Sequence, residues 1–464
     1  MKIVNESKNL VKKIIFFSAV IIALSVNVIS CSTTSTLSKD SYYSTNSKEI
    51  YNYTLSNGIP VVIKKTNSGE IAVLRMVFEG GTPLIPKDKS GIEGLTLDLC
   101  FHGSNNFSYD DIQKMQYDST FSISSSSSRD YSVAGIKCLK KDFDKVFEIF
   151  SDGILNPLFS NEDFIQFMKL EEQNLISTAA SPDGQLSLEM ENALFSGTSY
   201  DASSYFTKDS INNVSLEDVK NMHKKLLDSS RIKFVIVANI DEIEQKTLLS
   251  KLENAFGNIQ KGEYKSPEIQ KIAVSNENLS FVNESAGVSS YAVGVFDCPE
   301  RYDEDYVPFA MSLLILDDIL FEKVREENGA LYSIGTGVLG GKDLFGAISA
   351  YKISDKENIY SLIENAVRSF PDEKQIEKNI MQYKNKYITS LFKSSQNSSG
   401  VASNIITSLV YSNSPDSYLK RSFEVQNVTA KQIYNCYKKY IPYANEKQRN
   451  NENPVKWIMV SAEK

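Results

Sequence analysis

The chain has 464 residues, 41% hydrophobic and 23% charged, with a formal net charge of −8. That length and balance suit more than one globular domain and exclude a globally disordered chain. The acidic surface excludes an electrostatically driven nucleic-acid partner, and cysteines at 31, 100, 138, 298 and 436, none in a C-x-x-C pair, point to buried thiols without bridges.

At the N-terminus Lys2, Lys8, Lys12 and Lys13 precede an apolar run from Ile14 to Ile29 that is short for a membrane span and ends at Ser30-Cys31. A basic leader, an apolar centre and a small residue before cysteine read as a signal peptide over 1–30, with Cys31 the lipidated first residue of the mature chain. Loss of the leader takes the formal charge from −8 to −11. The Ser- and Thr-rich segment 31–49 is then a flexible tether. This predicts a lipid-anchored protein of a bacterial cell envelope, on the periplasmic face or at the outer membrane, which Ser32 mildly favours.

Past the tether, strands are predicted at Ile59–Ile63 and Ile71–Phe78, followed by a Gly80-Gly81-Thr82 turn and a buried helix over 91–102, with Gly103 at its C-cap. A helix from Ser108, strands Ser119–Ser126 and Tyr131–Leu139, and helices from Lys141, Ser160, Pro182 and Ser215 come next. Strand Ile232–Ala238 and a helix from Asp241 to Ala255 close the first half. The second half repeats the order: strands 279–284 and 289–297, helix 303–327, strands 330–337 and 343–351, helices near 354, 373, 399 and 429, and strand Val455–Ser461. Strand groups interrupted by helix groups argue for an α+β fold with helices on one face of each sheet.

The halves look duplicated. Asn213-Val214-Ser215-Leu216 through Lys225 recurs as Asn427-Val428-Thr429-Ala430 through Lys439, an offset of 214. Ser215 and Thr429 are placed to cap a helix in both copies, and each helix is followed by an apolar strand. The predicted division is therefore a first repeat at 50–262, a polar linker at 263–275 and a second repeat at 276–464.

The stretch Gly91-Ile92-Glu93-Gly94-Leu95-Thr96-Leu97-Asp98, closed by Phe101-His102-Gly103-Ser104, resembles the metal helix of the pitrilysin and insulinase family of zinc peptidases, the processing-peptidase-like inverzincins. Leu55-Ser56-Asn57-Gly58-Ile59, Asn156-Pro157-Leu158-Phe159 and Val324-Arg325-Glu326-Glu327-Asn328-Gly329-Ala330-Leu331-Tyr332 extend the resemblance over nearly all of 50–464. The family motif is H-x-x-E-H, two histidine ligands and a glutamate that activates water. Aligned on it, Gly94 and Asp98 stand at the histidines and Leu97 at the glutamate. The third ligand falls on Ala179, beyond Glu171, Glu172 and Asn174, with a slip onto Glu171 left open. Gly and Leu offer no lone pair, and histidines only at 102 and 223 cannot build such a helix elsewhere. Glu93 and Asp98, five positions apart, diverge by some 140° on a helix and do not converge on one ion.

What the resemblance still implies lies in the second half, where Arg325 and Tyr332 match residues that hold the substrate backbone and the developing oxyanion, with Asn328 as one inserted residue. The alternative for Arg325 is an ion pair with Glu322. The serine-rich strand at 122–128 matches an edge that pairs with extended peptide, or is a plain low-complexity loop. The expectation is a member with no catalytic residue and no metal of its own, forming a heterodimer with a zinc-bearing relative. Alternatives are a scaffold at the envelope and an active zinc endopeptidase with an unrecognised site.

Overall fold

Alternation in Ile50-Tyr51-Asn52-Tyr53-Thr54 turns both tyrosine rings to one side, and this stretch, which the sequence reading placed at the start of the first repeat without an element, forms strand β1 (Ile50–Thr54). The structure, a computed structural model, describes residues 46–275, 277–444 and 455–463; the leader and Cys31 lie outside the described residues. β1 pairs with β2 (Pro60–Lys65), and β3 (Ile71–Glu79), β4 (Ser122–Ser127), β5 (Tyr131–Leu139) and β6 (Ile232–Ala238) complete a sheet of order β1-β2-β6-β3-β5-β4. The second half builds β7 (Leu279–Val282), β8 (Ser290–Asp297), β9 (Leu331–Gly340), β10 (Leu344–Ile353) and β11 (Val455–Ser461) into the order β7-β11-β8-β10-β9. With β1 set aside the two orders are the same. In each sheet one parallel pair, β2 with β6 and β7 with β11, sits among antiparallel neighbours. Duplication extends to the caps: Ser215 and Thr429 both close capping boxes, with Asp218 and Gln432, on helices α6 (Leu216–Leu226) and α13 (Ala430–Tyr440).

The remaining helices of the first half are α1 (Ile92–Leu99), α2 (Tyr109–Asp118), α3 (Phe143–Leu155), α4 (Asn161–Ala180), α5 (Pro182–Phe195) and α7 (Glu242–Phe256). Those of the second are α8 (Tyr306–Leu320), α9 (Ile359–Arg368), α10 (Glu373–Ser394), α11 (Ser398–Ser412) and α12 (Ser417–Asn427). One face of the first sheet packs on α1, α3, α6 and α7 through Leu95, Phe150, Met222 and Phe256; one face of the second packs on α8, α9 and α13. The opposite faces are covered by exchange. Val62, Val73 and Val235 of the first sheet receive Ile405 and Leu409 of α11, and Val293 and Ile458 of the second receive Leu186 and Phe195 of α5. This explains why β3 is buried on both faces and reads as an apolar run interrupted only by Arg75 before Glu79.

Three segments differ from the sequence reading. The first helix stops at Leu99, not 102, because Phe101 and His102 bond back three residues and tighten the turn, while left-handed Gly103 lies beyond it. The long helix predicted over 303–327 is α-helical only to Leu320 and continues as a π-helical stretch, Phe321–Glu327. Helix α12 was unforeseen, since its polar run, with exposed Lys420 and Glu424 and half-buried Arg421, masks the few residues it buries.

The halves are joined by Asp130, between β4 and β5. Its buried carboxylate accepts from the Tyr200 hydroxyl at 2.6 Å, the Tyr411 hydroxyl of α11 at 3.0 Å and the Lys342 backbone N–H at 2.9 Å. Gly341 leaves the room this approach needs, since a Cβ there would run into Asp130 Oδ2.

Candidate functional site

Helix α1 starts at Gly91, whose backbone is left-handed (φ 85°) and whose missing Cβ admits Phe206. From that start the helix presents Leu97 to the core, where it is 1% exposed among the residues packed on the first sheet. Gly94 faces β4 with no side chain; a Cβ there would meet Ser127 Cβ at 3.6 Å and Ser204 O at 3.8 Å, ordinary contacts. Glu93 is buried in the opposite direction and pairs with Arg231 at 3.3 Å. Asp98 points toward β4 and accepts from Ser125 Oγ. It keeps part of its surface open, yet enough protein surrounds the carboxylate for desolvation to raise its pKa against the opposing effects of Ser125 and His102.

The second carboxylate that reaches this place is Glu171, one of the two glutamates on α4 that the sequence alignment left open. Desolvation raises its pKa, and the Asp98 charge adds to the rise. Ala179 lies two turns further along α4, in the wall of a cavity of about 750 Å³ shared with Phe195, Tyr205 and Asn283. A zinc ion does not fit these residues: Gly94 and Ala179 carry no donor, Leu97 is locked in the core, and among the described residues no group of three or more His, Cys, Asp or Glu is placed to hold a metal. Both histidines serve packing. The His102 ring stacks on Tyr109 at 4.1 Å and meets the edge of Phe167, and His223 Nε2 lies 2.7 Å from Ile154 O, with burial lowering its pKa.

At the start of β9 the second half brings Arg325 and Tyr332 together. The guanidinium lies 4.8 Å from the Phe321 ring centre and 5.4 Å from that of Tyr332, a ring left 65% exposed. Its acidic neighbour is Glu326, at 3.6 Å, rather than Glu322. The stretch that carries Arg325 is π-helical and ends just before Asn328, the residue that the sequence reading counted as inserted. Two neighbours escaped the sequence reading: Lys352, whose Nζ lies 5.5 Å from the Tyr332 ring, and Asp317 of α8, which accepts from the Thr336 backbone N–H on the outer edge of β9. No residue-type pattern marks either; only the strand register brings them here.

The serine strand is real and is the edge of its sheet, with side chains alternately exposed and half-buried. It has none of the lysines, prolines or bulges that usually blunt an edge. Cys100, Cys138, Cys298 and Cys436 are buried free thiols, and burial pushes Cys138, Cys298 and Cys436 up to about 12.

A duplicated α+β body with Gly94, Leu97 and Asp98 at the motif positions of α1, and an arginine and tyrosine held at the edge of the second sheet, defines a peptidase-like protein. Residues 60–206 match the insulinase family, peptidase family M16, and residues 213–386 match the M16 inactive domain; the chain belongs to that family. It is 26% identical over 247 residues to a mitochondrial-processing peptidase subunit alpha-1 of Dictyostelium discoideum, covering 52% of this chain and 36% of that protein. It is 20% identical over 284 residues to the non-peptidase homolog YmxG of Helicobacter pylori, covering 60% and 64%. The chain thus spans less than two thirds of either curated relative. A solved protease from Helicobacter pylori shares the fold at a TM-score of 0.76 and 16% identity, over 89% of this chain and 99% of that one.

Proposed function

We propose that this chain is a lipid-anchored envelope protein that binds extended peptides without cleaving them, and that it lends Arg325 and Tyr332 to a zinc-bearing member of the same family. One observation carries the reading: Arg325 and Tyr332 are held against each other at an exposed strand edge and satisfy no buried partner, although the helix that would bear zinc in the same chain has none of its ligands. Arginine and tyrosine at fixed positions are donors suited to a peptide carbonyl or a developing oxyanion. Resemblance to a protein named as a subunit of a processing peptidase supports the pairing. The open β4 edge supplies unpaired backbone groups on which a peptide adds as a further strand. Cys31 would hold the protein at the periplasmic face or outer membrane, which Cys31→Ala tests through loss of detergent partitioning.

The decisive experiment is co-purification with an intact H-x-x-E-H family member from the same cell. Arg325→Ala and Tyr332→Phe are expected to lower the peptidase activity of the complex by roughly 10² to 10³ without disturbing assembly, the scale of a lost oxyanion donor. An active complex indifferent to both substitutions would leave the scaffold reading in place. One equivalent of zinc on the isolated chain, with chelator-sensitive cleavage, would overturn the non-catalytic role.

A further inference from the structure

Lys352 occupies a backbone conformation that a lysine rarely adopts. It lies in β10 with φ 52°, at a bulge where Tyr351 and Lys352 together oppose Tyr291 of β8, between the pairs Ala350↔Ala292 and Ile353↔Ser290. Left-handed bulge positions are normally glycine, which carries no steric cost there. On its other side the register Tyr351↔Ser333 and Ile353↔Leu331 sets Lys352 opposite Tyr332, and its ammonium lies over the same exposed ring that Arg325 approaches. Two cations therefore neighbour one exposed ring, with Glu326 3.6 Å from Arg325. Lys352 makes no ion pair among the described residues. Strain retained at an exposed site marks it as a candidate for function, and two cations beside one exposed ring are donors suited to an anion.

The edge of β9 indicates which anion. Asp317 already occupies the outward N–H of Thr336, so by the two-residue period Tyr332 and Ile334 are the outward-facing residues between the start of β9 and that block. A chain added along this stretch meets Asp317 after two outward-facing residues, which suits the end of a peptide, including the end that a cleavage creates. We infer that Arg325, Tyr332 and Lys352 form a receptor for the C-terminal carboxylate of a bound peptide, with Lys352 the specificity-determining member. This rests on the peptide-binding reading above and adds the part of the peptide recognised.

The test uses the full chain and a randomised decapeptide pool made once as free acids and once as C-terminal amides, with retained peptides quantified by mass spectrometry. Free acids are expected to be held about tenfold better than amides, the scale of a charge-assisted hydrogen bond. Lys352→Gly should reduce that preference to about twofold while raising the melting temperature, because glycine relieves the bulge; a merely structural lysine would not couple these two changes. Equal retention of acids and amides, or an unchanged preference in Lys352→Gly, would overturn the receptor while leaving peptide binding intact. Retention of neither pool would remove the peptide-binding reading and this inference with it.

Discussion

Asp130→Ala is expected to loosen the seam between the halves. The carboxylate is 4% exposed and takes three donors, the hydroxyls of Tyr200 and Tyr411 and the Lys342 N–H, from both halves of the chain. Truncation leaves all three facing a void, at about 1–3 kcal/mol for each unpaired group, offset in part because a buried charge is also removed. A net loss of about 3–5 kcal/mol follows, the usual size for breaking a buried polar cluster from one side. With an unfolding entropy of about 2.1 cal/mol/K per residue and roughly 400 ordered residues, that corresponds to a fall in melting temperature of about 4–6 °C. Asp130→Asn keeps an acceptor for the Lys342 N–H and the Tyr411 hydroxyl when its oxygen takes the Oδ2 place and turns its NH2 to the Tyr200 hydroxyl, so at most about half the effect remains. Gly341→Ala drives a methyl into Asp130 Oδ2 and should act in the same direction. Scanning calorimetry is the assay, with broadening or splitting of the transition marking the loss of coupling between the halves. An Asp130→Ala protein that melts within about 1 °C of the parent in one sharp transition would refute the reasoning.

Other outcomes follow from the same structure. Leu97→Glu, the first step of rebuilding the metal motif, should cost about 3 kcal/mol or more and bind no zinc, because the side chain enters the core, 1% exposed; a stable, zinc-loaded variant would contradict this. Glu171→Gln should be more stable than the parent at pH 7 by a few tenths of a kcal/mol. The folded-state pKa of Glu171 is raised, so its cost is present above that value and disappears as pH falls below the unfolded value, and urea titrations at pH 7 and near pH 3 should show the gain only at the former. Ser215→Ala and Thr429→Ala remove equivalent capping boxes and should each cost about 1 kcal/mol; unequal losses would show that the two caps carry different loads.

The duplication was legible because it rests on local signals that repeat: a Ser or Thr cap, an amphipathic helix, then an apolar strand. Each of these is decided within about a dozen residues, so α6 and α13 and the strands after them stand where the sequence put them. The departure from the metal motif is equally local, since a glycine at a histidine position and a leucine at the glutamate position need no tertiary context to be read. Less accessible was which glutamate of α4 would look back at Asp98. That depends on the rotation of a helix with no fully buried residue, whose sequence therefore carries only a weak facing signal.

What stayed hidden was set by pairing across the chain. Lys352 reads as an ordinary strand lysine until the register of β10 against β8 slips by one residue and turns it over Tyr332. Asp130 reads as a hairpin acid, yet a closer comparison of the halves would have found its counterpart, Asp343, 213 residues on in the same hairpin. The two now do different work: Asp343 accepts from the Ile272 N–H at 2.7 Å, while Asp130 binds across the seam. Duplicated positions that keep a residue but change its partner are where the two halves have parted in role. By that measure the first half holds the seam through Asp130, and the second presents the exposed cationic edge at Arg325, Tyr332 and Lys352.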